Sequence, residues 1–272
     1  MHKNSPIGIF DSGVGGLSVL RAIRRLLPAE DLLYVADQSH VPYGTRSLEE
    51  IRLFSEGITR FLLREDAKLI VVACNTASAA ALQKLREKFP ALPFVGMEPA
   101  VKPAAEQTRS GVVGVLATPA TFEGDLYASV VERFASDLTV LQDTCLGLVE
   151  EIERGARDAA PARQILERAI RPMLEEGLDT LVLGCTHYPF TIPLIEEIAG
   201  ENVRVIDPAP AVARQVERRL DSLHLRTDKA TRGDVHLYTS GSAGQLSALL
   251  PQLGLEKFPV HEIAWQNGEI VS

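Results

Sequence analysis

The sequence predicts an α/β protein of two related halves, each built on a mostly parallel sheet. Three observations carry this. Short apolar runs rich in Val, Ile and Leu do not alternate with polar residues, helix-period segments lie between them, and two motifs recur in order in the second half. Strands buried on both faces read as continuous apolar runs. Strands alternating with helices imply parallel pairing under helical cover.

Taken in order, strands are expected over residues 7–10, 32–36, 69–73, 112–117, 180–184, 203–206 and 235–239. A helix over 17–27 is stopped by Pro28, and one over 47–64 opens with Ser47-Leu-Glu-Glu50, a capping-box pattern. A third runs from about residue 162 to Gly177, with Pro172 expected to kink or interrupt it. Beyond Asp207 the pattern continues with helices near 210–220 and 243–250 around a strand near His236, too short for an independent domain and expected to complete the first half's sheet. The repeat pairs the string 7–13 with 113–119, and Leu69-Ile-Val-Val-Ala-Cys74-Asn-Thr with Thr180-Leu-Val-Leu-Gly-Cys185-Thr-His. The expected division is residues 1–97 with 208–272 as one domain and 98–207 as the other.

Composition narrows the function. With 28 Lys and Arg against 36 Asp and Glu, the 272-residue chain carries a formal charge of −8, which disfavours phosphate-neutralising binding to nucleic acid or an anionic membrane. Neither a signal-peptide h-region nor an apolar run of transmembrane length is visible. Three cysteines, Cys74, Cys145 and Cys185, are too few for a disulfide framework and fit a reducing cytoplasm.

Cys74 and Cys185 fall where an apolar strand ends and a helix is due. Ligands of open α/β sheets bind beyond those strand ends, and a helix N-terminus there favours thiolate, lowering a Cys pKa from about 8.5 towards neutrality. A lone cysteine is more often a small buried hydrophobe, and Cys145, which no apolar run precedes, keeps that reading. No Cys-x-x-Cys pair exists to hold zinc or a redox disulfide, so no metal site is assigned. A Cys–His hydrolase would use Cys185 and His187 only. Two bases on opposite faces of one carbon is the chemistry that uses the duplication: a racemase or epimerase. A binding protein of two α/β lobes closing on an amino acid is the non-enzymatic alternative.

The neighbouring residues suit an amino acid. Asp11-Ser-Gly-Val-Gly-Gly16 forms a Gly-rich turn able to cradle a carboxylate; it lacks the Lys of a Walker A loop and the spacing of a dinucleotide fingerprint. Pro42-Tyr-Gly44, Asn75-Thr76 and Thr186 add short neutral hydrogen-bonding groups. No lysine lies in these motifs to form a pyridoxal Schiff base, so no cofactor is expected. For Asp11 the structural alternative is an Asx turn or N-cap, and for His187 a cap on a local carbonyl.

The set Asp11-Ser-Gly-Val-Gly-Gly-Leu-Ser18, Pro42-Tyr-Gly-Thr-Arg46, Val72-Ala-Cys-Asn-Thr-Ala77 and Leu183-Gly-Cys-Thr-His-Tyr-Pro189 resembles the glutamate racemases of the aspartate/glutamate racemase family, from Ile7 to about Asp207. The resemblance implies two Rossmann-like domains with glutamate between them, Cys74 and Cys185 as the acid/base pair, and Asp11 and His187 assisting one thiol each. It also implies that Asp11, Ser12, Pro42, Tyr43, Gly44, Asn75, Thr76, Thr121, Thr186 and His187 hold the substrate, with Asp37 also matching a family position. D-Glutamate for peptidoglycan would be the product, without cofactor; a racemase of another acidic amino acid such as aspartate is the alternative, and a homodimer is left open. Where the family has a Pro-rich segment ending in Glu, this chain reads Cys145-Leu-Gly-Leu-Val-Glu-Glu-Ile-Glu153. Glu153 matches by spacing alone, Glu150 and Glu151 compete with it, and none is placed in the catalytic set. With six residues before the first strand, activation through an N-terminal extension is not expected.

Overall fold

Residues 2–98 and 100–271 are described by the computed structural model. The chain runs β1 (Ile7–Asp11), α1 (Leu17–Leu26), β2 (Leu32–Ala36), α2 (Leu48–Arg64), β3 (Leu69–Val72), α3 (Asn75–Lys88) and β4 (Phe94–Gly96). It then crosses to α4 (Val101–Gln107), β5 (Val112–Ala117), α5 (Pro119–Phe122), α6 (Asp125–Phe134), β6 (Thr139–Asp143), α7 (Leu148–Glu153), α8 (Ala160–Glu175), β7 (Thr180–Gly184), α9 (Ile192–Ala199) and β8 (Arg204–Ile206). It returns through α10 (Ala209–Ser222), β9 (Val235–Thr239), α11 (Ala243–Leu249) and β10 (Val260–Glu262), and ends in a hairpin of β11 (Ala264–Gln266) and β12 (Glu269–Val271).

Two parallel sheets result, ordered β10-β9-β2-β1-β3-β4 and β6-β5-β7-β8. The cores β2-β1-β3-β4 and β6-β5-β7-β8 have the same order, so the repeat seen in the sequence is also a repeat of topology. β9 lies beside β2, and α10 packs along α1.

Most of the predicted strands form because their side chains are buried on both faces: β1, β2, β3 and β7 are buried at every position, whereas β9 alternates buried with half-buried and the edge strand β8 is exposed or half-buried. The strands that sequence patterning misses are short or half-exposed. β6 lies at an edge with its residues exposed or half-buried, and β4 and β10 have three residues each. An edge strand needs no continuous apolar run. The capping box at α2 forms as read, Ser47 Oγ accepting from Glu50 N and Glu50 Oε2 from Ser47 N.

Pro172 does not interrupt its helix. α8 continues through it to Glu175; the amide hydrogen that proline lacks leaves one carbonyl, that of Arg168 four residues back, without its in-helix donor, and the helix closes beyond it with Leu178 N on Met173 O. No helix among the described residues is long and apolar enough to cross a membrane.

Candidate active site

The register puts the chemistry at one end of both sheets. Asp11 closes β1 level with Ala36, and Cys74 lies two residues beyond Val72 of the adjacent β3. In the second lobe Ala117 pairs with Gly184, so Thr118 and Cys185 follow side by side. These are the carboxyl ends of the central strands, where open parallel sheets bind ligands, and the two sets face each other. Thr186 Oγ1 donates to Asp11 Oδ2 at 2.9 Å, Ser18 Oγ to the Thr186 carbonyl at 3.0 Å, and Thr76 Oγ1 meets Thr118 Oγ1 at 2.8 Å.

Cys74 caps α3, its Sγ accepting from Ala77 N at 3.4 Å. Despite that, its thiol is pushed well up: burial dominates, the charge of Asp11 adds to it, and the amides of Ala77 and Ser12 do not compensate. This reverses the expectation from the strand-end location, because desolvation outweighs a helix terminus. Charge on Cys185 raises Cys74 further, so a thiolate at Cys185 disfavours a second one at Cys74. Cys185 does not cap an α-helix as expected; a 3-10 turn over Tyr188–Thr191 intervenes before α9.

His187 lies beside Cys185, Nδ1 3.8 Å from Sγ, while its Nε2 is 2.7 Å from Glu153 Oε1. Burial alone would discharge the imidazole, but the bonds to Cys185 and Glu153 outweigh it and raise His187 well above the usual value. Glu153 is held below the usual carboxylate range: burial is opposed by His187, the Val14 amide and Gln38. Of the three competing glutamates, Glu153 is therefore the one at the site. Asp11, fully buried, is raised by desolvation, which His187, Gly13 N and Thr186 only partly offset.

The Gly-rich turn does not hold its amides free for a ligand. Ser12 N–H serves Cys74, Gly13 N donates to Asp11 Oδ1 at 2.8 Å, and Val14 N to Glu153 Oε1 at 2.7 Å. The expected carboxylate cradle is filled by the protein's own carboxylates. The glycines are needed for close approach: a Cβ on Gly13 would lie 1.9 Å from Glu153 Oε1, and one on Gly15 2.3 Å from His187 Nδ1. Gly13→Ala is expected to displace Glu153 from His187 while leaving the fold intact, since a flexible carboxylate can move aside. Turnover should fall about tenfold or more, the scale of a lost hydrogen bond to a charged group, with an unchanged circular-dichroism spectrum as the control.

The Tyr43 hydroxyl is used within the protein. It donates to Asp37 Oδ2 at 2.7 Å, so what 42–44 can offer a ligand is the N–H groups of Tyr43 and Gly44 at the start of a 3-10 turn; Pro42 has none. Asp37 is buried and also accepts from His40 Nδ1, Ser240 Oγ and Trp265 Nε1, and is held low by these bonds against the effect of burial. It braces this loop. Thr121 joins Thr118 at 3.0 Å, extending the Thr76–Thr118 bridge. Both polar atoms of the Asn75 amide are buried without a partner. Ser12 is buried at the end of the Asp11 turn.

Sequence reasoning left Glu153 undecided and missed Thr118 and Gln38. Thr118 had a signal, being the repeat counterpart of Ser12. Cys145, buried at φ 44° with its amide on Asp143, has no place in the constellation.

The sequence signature described as Asp/Glu/Hydantoin racemase matches residues 7–216. A glutamate racemase of Ectopseudomonas mendocina is 52% identical over 260 residues, 96% of this chain and 98% of its own. Among solved structures, a glutamate racemase isoform of Bacillus anthracis superposes with TM-score 0.88 at 33% identity, covering 98% of this chain and 100% of that one. The Escherichia coli glutamate racemase, solved with L-glutamate and an activator, gives 0.83 at 34% identity over 98% of this chain and 99% of its own. The chain belongs to the Asp/Glu/hydantoin racemase family.

Proposed function

We propose that this protein interconverts L- and D-glutamate by proton transfer at Cα, with Cys74 and Cys185 as the two bases. The observation that carries the reading is the pairing of these thiols at equivalent strand ends of two facing lobes, each with its own assisting group. One thiolate takes the Cα proton, leaving a planar carbanion, and the other thiol returns a proton from the opposite face. The reverse reaction exchanges their roles. Asp11 serves the Cys74 side; His187, held by Glu153, serves Cys185. The carbanion is stabilised where its carboxylate meets preorganised neutral donors. The Asn75 amide, buried and unpartnered, is the foremost of these, with Ser12, Thr76, Thr121 and the amides of Tyr43 and Gly44 around it, while Thr186, whose hydroxyl donates to Asp11, holds that carboxyl in place. No step calls on a cofactor.

Glutamate as substrate is supported by the identity to glutamate racemases and by the L-glutamate complex of the Escherichia coli relative. D-Glutamate for peptidoglycan synthesis in the cytoplasm follows from that reading. The division into 1–97 with 208–272 and 98–207 is supported by the two sheets, which draw their strands from these segments. A Cys–His hydrolase would use Cys185 and His187 but leave Cys74 idle.

Purified protein incubated with L-glutamate in deuterated water, with nothing added, is expected to lose optical rotation and gain deuterium at Cα. Unchanged rotation without exchange rejects the racemase reading, and ammonia release from glutamine would favour a hydrolase.

A further inference from the structure

We infer that Gln38 is a positioning residue for the His187–Cys185 pair, acting through Glu153; this rests on the two-cysteine reading above. Gln38 follows Asp37 at the carboxyl end of β2, in the opposite lobe from Cys185. Its Nε2 donates to Glu153 Oε2 at 3.0 Å and its Oε1 accepts from Thr239 Oγ1 at 2.8 Å, while Gly241 N donates to the same Thr239 oxygen at 2.9 Å. The amide has one workable orientation. Turned over, it would set two acceptor oxygens 3.0 Å apart, one carrying the charge of Glu153. Thr239, fully buried on β9, holds the other end.

Glu153 thus collects three donors: Val14 N and His187 Nε2 on Oε1, and Gln38 on Oε2. The terminal torsion of a glutamate is broad and weakly preferred, so a donor on each oxygen sets the plane of the carboxylate. That plane aims Oε1 at His187 Nε2, and His187 in turn presents Nδ1 to Cys185. Gln38 is the one neutral side chain in the set. The groups facing this cluster are Asp11 from β1, Tyr34 from β2, both thiols, His187, and Asp37 beside Gln38 under its own donors. A second ionised carboxylate at position 38 would meet the charge of Glu153, whose own imidazolium partner is already bound to it, while the nearby His40 is taken by Asp37.

This gives a test that a merely structural role would not pass. Gln38→Glu is isosteric: protonated, it returns a donor to Glu153 Oε2; ionised, it opposes that oxygen with like charge. Its racemisation rate relative to wild type is expected to rise as pH falls. Gln38→Leu supplies no donor at any pH and is expected to lose about tenfold in kcat throughout. Thr239→Val, remote from the thiols, should lose part of the activity and Thr239→Ser should restore it, with thermal unfolding monitored for all four. A Gln38→Glu ratio that does not change with pH, or Gln38→Leu matching wild type, overturns the inference. Wild type that exchanges no deuterium overturns the racemase reading instead.

Discussion

Cys74→Ser and Cys185→Ser are each expected to reduce racemisation by at least about 10²–10⁴-fold, the contribution of a well-placed acid–base group, without loss of fold. Both thiols are buried, 5% exposed, and serine differs from cysteine by one atom, so packing is kept while the ionisable thiol is lost. Each variant retains one base. That base can still remove a proton from one face of Cα and return it to the same face, which exchanges hydrogen for deuterium without inversion. Exchange in one enantiomer for Cys74→Ser, and in the other for Cys185→Ser, would be the signature, read by mass spectrometry of each enantiomer after reaction in deuterated water. A variant that racemises at the wild-type rate would refute the two-base scheme.

His187→Gln is expected to cost a comparable 10²–10⁴-fold in turnover and to change the pH profile. Glutamine fills much of the volume and can donate to Glu153, but it cannot carry charge beside Cys185. The bonds to Cys185 and Glu153 raise His187 well above its usual value against the effect of burial, so the imidazolium persists through neutral pH. Activity that depends on it is whole below about pH 6.5 and is lost as pH rises through the raised value. The stability His187 contributes follows the same direction. The variant should lack that basic limb in kcat and in thermal midpoint measured across pH. A variant that keeps the wild-type basic limb would show that another group titrates there.

How much of this was legible in the sequence depended on whether a signal was local. β1, β2, β3, β5 and β7 are unbroken apolar strings because both faces are covered, and the cysteines stand out because each follows such a string. β6 was hidden because an exposed edge carries no such pattern. Glu153 shares one helical turn with Glu150 and Glu151; the approach of α7 to the Val14 amide in the other lobe chooses among them, and residue spacing cannot express that. The Gly-rich turn was recognisable as a set of amides aimed at an anion. Which anions occupy it, Asp11 and Glu153, depends on how the lobes meet. Tyr43 stood out in its motif, but that its hydroxyl is taken by Asp37, whose other partners include Ser240 and Trp265, depends on residues far along the chain.

That last contact has a consequence for the order of assembly. Asp37 and Trp265 are separated by 228 residues, and β9, which flanks β2, begins at Val235. A chain emerging from its N-terminus therefore holds β2 as an open edge, with a row of unpaired amides and carbonyls, until its last segment has been made. The strands of the second sheet lie between Val112 and Ile206 and need nothing from beyond them. Cys185 thus belongs to a sheet that can close on its own. Cys74 belongs to one that must wait for β9, and the brace beneath the Tyr43–Gly44 loop is complete only once Trp265 has joined it.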